Sequence, residues 1–324
     1  MSASAVAIAC GLGAALCFGT GDYLAQRLTH QHGWFAAMFG VQVAAALVLG
    51  FVAFAWHGIP TGVSTGSLVG VVGVGVVNTL GVVGLYRAFE RGKLSLVSPI
   101  AGSMGAFSLG FAWLVGTPPP LGVVPGAIAV VVGIVGGSVI IEAPTPTQQQ
   151  DPAPGQTWRA RWHQRRAGQR RLGRALGVGW ALLSAVGFGW VFFVLGPTSE
   201  AIGPAWAVFG LRVVAIVMLG IPSLLFARGR VIEGASDLRS RSGARLLVVA
   251  MLDAGGMLGF AFGTSRGIAA AELAIVAVLT SSFPLVTVAL ARVHLRERLD
   301  WWQWLGIAAV LAGIVWISAW SGSG

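Results

Sequence analysis

Apolar stretches long enough to cross a lipid bilayer recur from one end of this chain to the other, and no other feature narrows its fold as far. A membrane-spanning helix needs about 20 apolar residues. Such stretches are expected near 4–26, 34–56, 67–88, 94–115, 121–142, 175–195, 204–227, 245–266, 270–292 and 301–320. Of the 324 residues 56% are hydrophobic and 10% charged, against about 25% charged in a soluble domain. The main solvent is therefore lipid. Backbone groups in lipid must bond within helices or closed barrels. A barrel strand alternates polar and apolar residues, and runs such as Val123 to Ile141 do not. The expected class is all-α and integral to the membrane, with ten transmembrane helices.

Both cysteines, Cys10 and Cys17, fall on the first helix, about 10 Å apart in rise and too far to bridge. The N-terminal apolar run lacks a basic flank and outruns the core of a signal peptide, so a mature helix is expected there.

The formal charge of +10 invites comparison with nucleic-acid binders. Its distribution argues for a membrane instead. Of the 21 lysines and arginines, all but Arg212 and Arg266 lie in or beside the odd-numbered loops. By the positive-inside rule these loops are cytoplasmic, and both termini are external. Basic loops facing anionic lipid account for the charge without a nucleic-acid partner. The segment 143–174, rich in Pro and Gln and then in Arg, reads as a cytoplasmic linker, either solvated and disordered or laid on the inner leaflet through Trp158 and Trp162.

The linker separates two related halves, 1–142 and 175–324. In the second helix of each, Ala37, Phe39, Gly40, Val43, Ala45, Leu49 and Gly50 recur as Ala207, Phe209, Gly210, Val213, Ala215, Leu219 and Gly220. In the first helices, Gly11, Gly13, Ala15, Leu16 and Gly21 match Gly177, Gly179, Ala181, Leu182 and Gly187. In the last, Gly126, Ala129, Val130 and Gly133 match Gly306, Ala309, Val310 and Gly313. A five-helix unit crosses the membrane an odd number of times, so its second copy enters in the opposite sense. Two inverted five-helix repeats result, the architecture that lets one central site face each side in turn.

Three segments carry a family resemblance. Leu279-Thr-Ser-Ser-Phe-Pro284-Leu-Val-Thr-Val-Ala-Leu is followed by Arg296-Glu297-Arg298-Leu299 and the Gly306 to Gly313 helix. Phe209-Gly-Leu-Arg212 stands in the second helix of the second half, and Tyr86-Arg87-Ala88 ends the third helix of the first. Together they resemble the EamA-type transporters of the drug/metabolite transporter superfamily, over almost the whole chain apart from the linker. The first half departs from that pattern, with Thr117-Pro-Pro-Pro120 in place of a Glu-containing turn and Gln42 in place of Arg212. The resemblance implies ten helices around a central cavity in the inner or plasma membrane. It implies secondary export of small metabolites, often amino acids or amphipathic compounds. The alternatives are an importer or exchanger of sugar-linked or other small solutes, and a scaffold or receptor-like protein without transport.

Polar residues inside the spans are the candidates for a site. Asp253 sits mid-helix, where an acid costs ~2.5–3.5 kcal/mol, and Asn78 is its counterpart in the first half. Asp253 either lines the path of substrate or proton, or is structural, as one of a pair or as a neutral, hydrogen-bonded acid. A carboxyl taken out of water disfavours its charged form, so proton coupling is a reasonable role. Arg212 either binds an anionic group or holds a carboxylate such as Asp253. Tyr23 and Gln42 either offer a ligand neutral hydrogen bonds or serve in packing or at the interface, and Asp22 and Glu272 are expected within a turn of helix ends, solvated or capping. Pro99 and Pro284 interrupt spans, and Gly255, Gly259 and Gly263 form a small-residue stripe for packing or sliding.

No enzyme is expected. The histidines lie in loops or at helix ends without metal-ligand spacing. Gly62-Val-Ser64-Thr-Gly66 precedes a helix but follows no strand, so it lacks the context of a nucleophile elbow. No P-loop is present. No cofactor or metal is expected; the partners are a small-molecule substrate and the bilayer.

Overall fold

The computed structural model describes residues 3–58, 60, 63–116, 121–139, 157–226, 228–264, 276, 279–294 and 301–321. The described elements are helical, with no strand among them. They are α1 (Ala3–His32), α2 (Trp34–His57), α3 (Thr65–Arg91), α4 (Leu94–Gly102), α5 (Met104–Leu114), α6 (Val124–Val139), α7 (Thr157–Ile202), α8 (Pro204–Phe226), α9 (Arg228–Thr264), α10 (Phe283–His294) and α11 (Trp301–Ser321). Among the described residues, seven helices are long and apolar enough to cross a membrane, and Trp304–Gly313 is a shorter apolar helix. Seven of the ten expected spans are thus found among the described residues; of the other three, the fifth, α6, has 16 residues, the ninth lies partly outside the described residues, and the tenth holds the shorter apolar stretch.

Two helices begin earlier than expected. Thr157–Ile202 is one helix, so the Arg-rich part of the linker continues directly into the sixth expected span; α9 likewise starts at Arg228. Arg and Ala are good helix formers, and once a span supplies the nucleus each added residue gains a backbone bond. Helix α1 runs on to His32, past Arg27, whose guanidinium lies over the Tyr23 ring.

Matched positions of the two halves meet across the structure. A Cβ placed on Gly133 would fall against the Gly306 carbonyl and the Val310 amide, and one on Gly313 against the Gly126 carbonyl and the Val130 amide. Rising number along α6 thus meets falling number along α11, and the two cross antiparallel. Helices α2 and α8 do the same, with Gly50 against the Phe209 ring and Gly220 against the Phe39 ring.

The turns repeat as well. Gly33, between α1 and α2, and Gly203, between α7 and α8, have φ of 83° and 88°. Only glycine takes that conformation without strain. Each donates back to the residue four earlier, Thr29 or Ser199, and accepts from Ala37 or Ala207.

The first helices are related one turn out of the register that their glycines suggest. Gly84 of α3 meets Trp180 and Ser184 of α7, and Gly259 of α9 meets Cys10 and Ala14 of α1. Ala14 therefore corresponds to Ser184, the same spacing of 170 residues that separates Gln42 from Arg212.

The fourth helix of each half breaks at a serine. Ser103 separates α4 from α5, and its hydroxyl donates to the Ile100 carbonyl at 2.6 Å. Ser282 precedes α10 and donates to the Leu279 carbonyl at 2.5 Å. Pro99 lies four residues before the first break, and Pro284 two after the second, with its ring against Gly102. The glycine stripe of α9 is a packing face: Gly255 meets Cys17, Gly259 meets Ala14, and Gly263 meets Val276 and Cys10.

Candidate functional site

Helices from both halves line a partly open cavity, with about 760 Å³ of empty space that includes its mouth. On α1, Cys17, Gly21, Asp22 and Ala25 follow one another at helical spacing along its wall; on α3 Asn78, Val82, Tyr86 and Phe89 do so, and on α9 Val249, Asp253 and Met257. Gln42 of α2 and Arg212 of α8 complete the polar part. Phe18, Met104, Phe188, Phe192 and Phe283 supply the apolar part.

Arg212 is 1% exposed although it carries a guanidinium. Two neighbours make that tenable. Its Nη1 donates to Gln42 Oε1 at 2.9 Å, and its Nη2 lies 2.8 Å from Asp253 Oδ2. The first contact joins Arg212 to its own counterpart in the other half. The second leaves 30% of the Asp253 side chain exposed, on the cavity wall. The two residues form an ion pair, and Arg212 Nε has no hydrogen-bond partner among the described residues. Asp253 is thus both paired with Arg212 and part of the cavity wall.

Asn78 is 1% exposed, and its Nδ2 has no hydrogen-bond partner. Asp22, read as lying near a helix end, is instead well inside α1, half-buried on the cavity wall. Glu272 lies outside the described residues. Tyr23 is turned away from the cavity; its hydroxyl accepts from Arg27 Nη1 at 3.0 Å and its ring packs 5.6 Å from that of His294. Of the remaining expected residues, Pro99, Pro284, Gly255, Gly259 and Gly263 take no part in the cavity lining.

Sequence reading used Tyr86, one of two tyrosines in the chain, only as part of the family resemblance and not as a site residue. It is 5% exposed and its hydroxyl forms no hydrogen bond with the described residues. Its position two helical turns beyond Asn78 was the available signal. The aromatic wall was also missed. Phe18 stands edge-on to Phe192 at 6.4 Å and to Phe283 at 6.1 Å, and Phe192 edge-on to Phe260 at 4.1 Å. These three pairs join α1, α7, α9 and the start of α10.

Among the described residues, no group of three or more His, Cys, Asp or Glu is placed to hold a metal ion. The cavity wall thus presents an ion pair, an amide and a hydroxyl without hydrogen-bond partners among the described residues, and an aromatic flank.

The model of a family described as EamA-like transporter matches residues 5–138 and 175–319 of the chain. A solved crystal structure, described only as that of a protein, is similar over 96% of this chain and 95% of its own, with a TM-score of 0.58 at 15% identity. That likeness concerns the fold. None of the curated proteins matches the chain in sequence.

Proposed function

Because the chain belongs to the EamA-like transporter family, and so is a multi-pass membrane transporter of small solutes, we propose that it works by alternating access as a secondary exporter. The transported solutes are small metabolites, amino acids or amphipathic compounds. In this reading there are ten crossings, five from residues 1–142 and five of opposite sense from 175–324, with 143–174 as the cytoplasmic connection. The antiparallel crossings of α2 with α8 and of α6 with α11 support it, since repeats related in this way can exchange conformations about a shared site. The basic loops then face the cytoplasm of a cell or inner membrane, with both termini outside.

The observation that carries this proposal is the cavity itself. It sets an ion pair and an Asn78 amide without a partner among the described residues in the middle of apolar spans, where such groups are costly and mark a substrate or ion path. Asp253, Asn78, Arg212, Gln42 and Asp22 bind solute or proton. The serine breaks near Pro99 and Pro284 are the hinges, and the α9 glycine stripe is the face on which α1 moves.

The test is flux into proteoliposomes under an imposed pH gradient, using solutes selected by their ability to protect overproducing cells. Asp253→Asn keeps an acceptor for Arg212 but cannot carry a proton. We expect gradient-driven accumulation to fall roughly tenfold or more, with counterflow exchange reduced less. Unchanged accumulation would remove Asp253 from the coupling, and an absence of any flux in the unsubstituted protein would refute the transport reading.

A further inference from the structure

Two carboxyl groups and one guanidinium line the central cavity: Asp22 from α1, Asp253 from α9 and Arg212 from α8. Arg212 is committed to Asp253 at 2.8 Å and to Gln42 at 2.9 Å. Asp22 has neither a hydrogen bond nor an ion pair with any described residue. The other carboxyl on the cavity wall, Asp253, has the same sign. The basic residue nearest in sequence, Arg27, is exposed and donates to the Tyr23 hydroxyl. With the Arg212–Asp253 pair neutral as a whole, the chamber holds one acid without a partner among the described residues.

Two further observations describe what would compensate it. The Asn78 side chain is 1% exposed and its Nδ2 is unpartnered in the same wall, a donor waiting for an acceptor atom. At the spacing of 170 residues that relates Gln42 to Arg212, the counterpart of Asp22 is Phe192. The duplicated position is therefore acidic in one half and aromatic in the other. Phe192 belongs to the edge-to-face cluster with Phe18 and Phe283. Aromatic faces attract cations and apolar bodies alike and repel anions.

We infer that the cavity binds a small amphipathic monocation, with its charged nitrogen at Asp22, its apolar or aromatic body among Phe18, Phe192 and Phe283, and an uncharged acceptor at the Asn78 amide. An anion would meet two carboxyl groups against one guanidinium that is already engaged. A neutral solute would leave Asp22 without a partner. This inference narrows the substrate class of the proposed transporter and rests on that reading only for turnover.

Cys17 lines the same chamber, so its alkylation rate reports occupancy. The experiment uses the purified full chain in lipid nanodiscs carrying Cys10→Ala. The probes are benzyltrimethylammonium, its uncharged carbon analogue neopentylbenzene, and phenylacetate. Benzyltrimethylammonium is expected to slow Cys17 alkylation at concentrations roughly tenfold lower than either comparator. Asp22→Asn is expected to erase that preference, and Asp22→Glu to restore it. Equal protection by the charged and uncharged probes overturns the inference, as does a preference that survives in Asp22→Asn. Should Asp22→Asn not fold, the ranking of the three probes on the chain with native Asp22 decides alone. Flux of another solute without selective binding of the cation defeats this inference and leaves transport standing. Selective binding without flux of any solute does the reverse.

Discussion

Arg212→Leu is expected to destabilise the protein by about 3–5 kcal/mol, because it leaves Asp253 on the cavity wall without its cation. The guanidinium is 1% exposed and joins three helices, reaching Gln42 on α2 and Asp253 on α9 from α8. Its loss orphans an acid and an amide together. Arg212→Lys keeps the charge but cannot donate to both neighbours from a planar fork, so an intermediate effect is expected. The double variant Arg212→Leu/Asp253→Leu removes both charges and should recover most of the stability while remaining inactive in transport. Thermal unfolding in detergent, followed with flux, separates the two. A double variant as unstable as Arg212→Leu would mean that the pair is not the reason this arginine tolerates burial.

The second large effect is expected where α6 and α11 touch. Gly133 and Gly313 each face the partner's backbone so closely that even a methyl group would overlap a carbonyl oxygen and an amide nitrogen. Inserting side-chain volume into such a contact costs about 1–3 kcal/mol or more, because backbone cannot step aside as a flexible side chain can. Gly133→Leu and Gly313→Leu should each separate the two helices and lower the thermal stability by similar amounts, since the contact is the same seen from either half. Gly13→Leu and Gly179→Leu are the controls, because nothing lies within 4 Å of a Cβ at either position. Unequal losses at 133 and 313 would argue against the two-fold relation between these helices.

How much of this was legible in the sequence depended on how much each residue's chemistry constrained its surroundings. The second helices aligned at once, because Phe39 and Phe209, Gly50 and Gly220 are distinctive and their spacing is preserved; Gln42 and Arg212 followed from them. The first helices aligned one turn out, because stretches rich in Ala and Gly match themselves at neighbouring turns. Only the contacts of Gly84 and Gly259 with the facing helices fix their register.

Asp22 was placed near a helix end because Arg27 looked like the start of a loop. Helix α1 in fact continues to His32, with Arg27 held over Tyr23 by a cation–π contact of 5.7 Å. Tyr23 was chosen for its hydroxyl, yet the residue beside it on a helix points about 100° away, and Asp22 took the cavity side. Tyr86 and the phenylalanine cluster were not read as site residues because aromatic residues in an apolar span look like packing; only the fold tells a cavity wall from a helix contact. Arg212 and Asp253 were the opposite case. Charges in mid-span need partners, and their pairing was one of the expectations that the residues alone had raised.

The central claim is that one chamber, shared by two halves of opposite sense, opens to each side of the membrane in turn. The most direct measurement is the reactivity of Cys17, in a Cys10→Ala background, toward a charged methanethiosulfonate reagent that does not cross lipid, applied to right-side-out and to inverted vesicles. Alternating access predicts that Cys17 is modified in both preparations, and that an imposed pH gradient shifts reactivity from one to the other. Modification from a single side under every condition would contradict it.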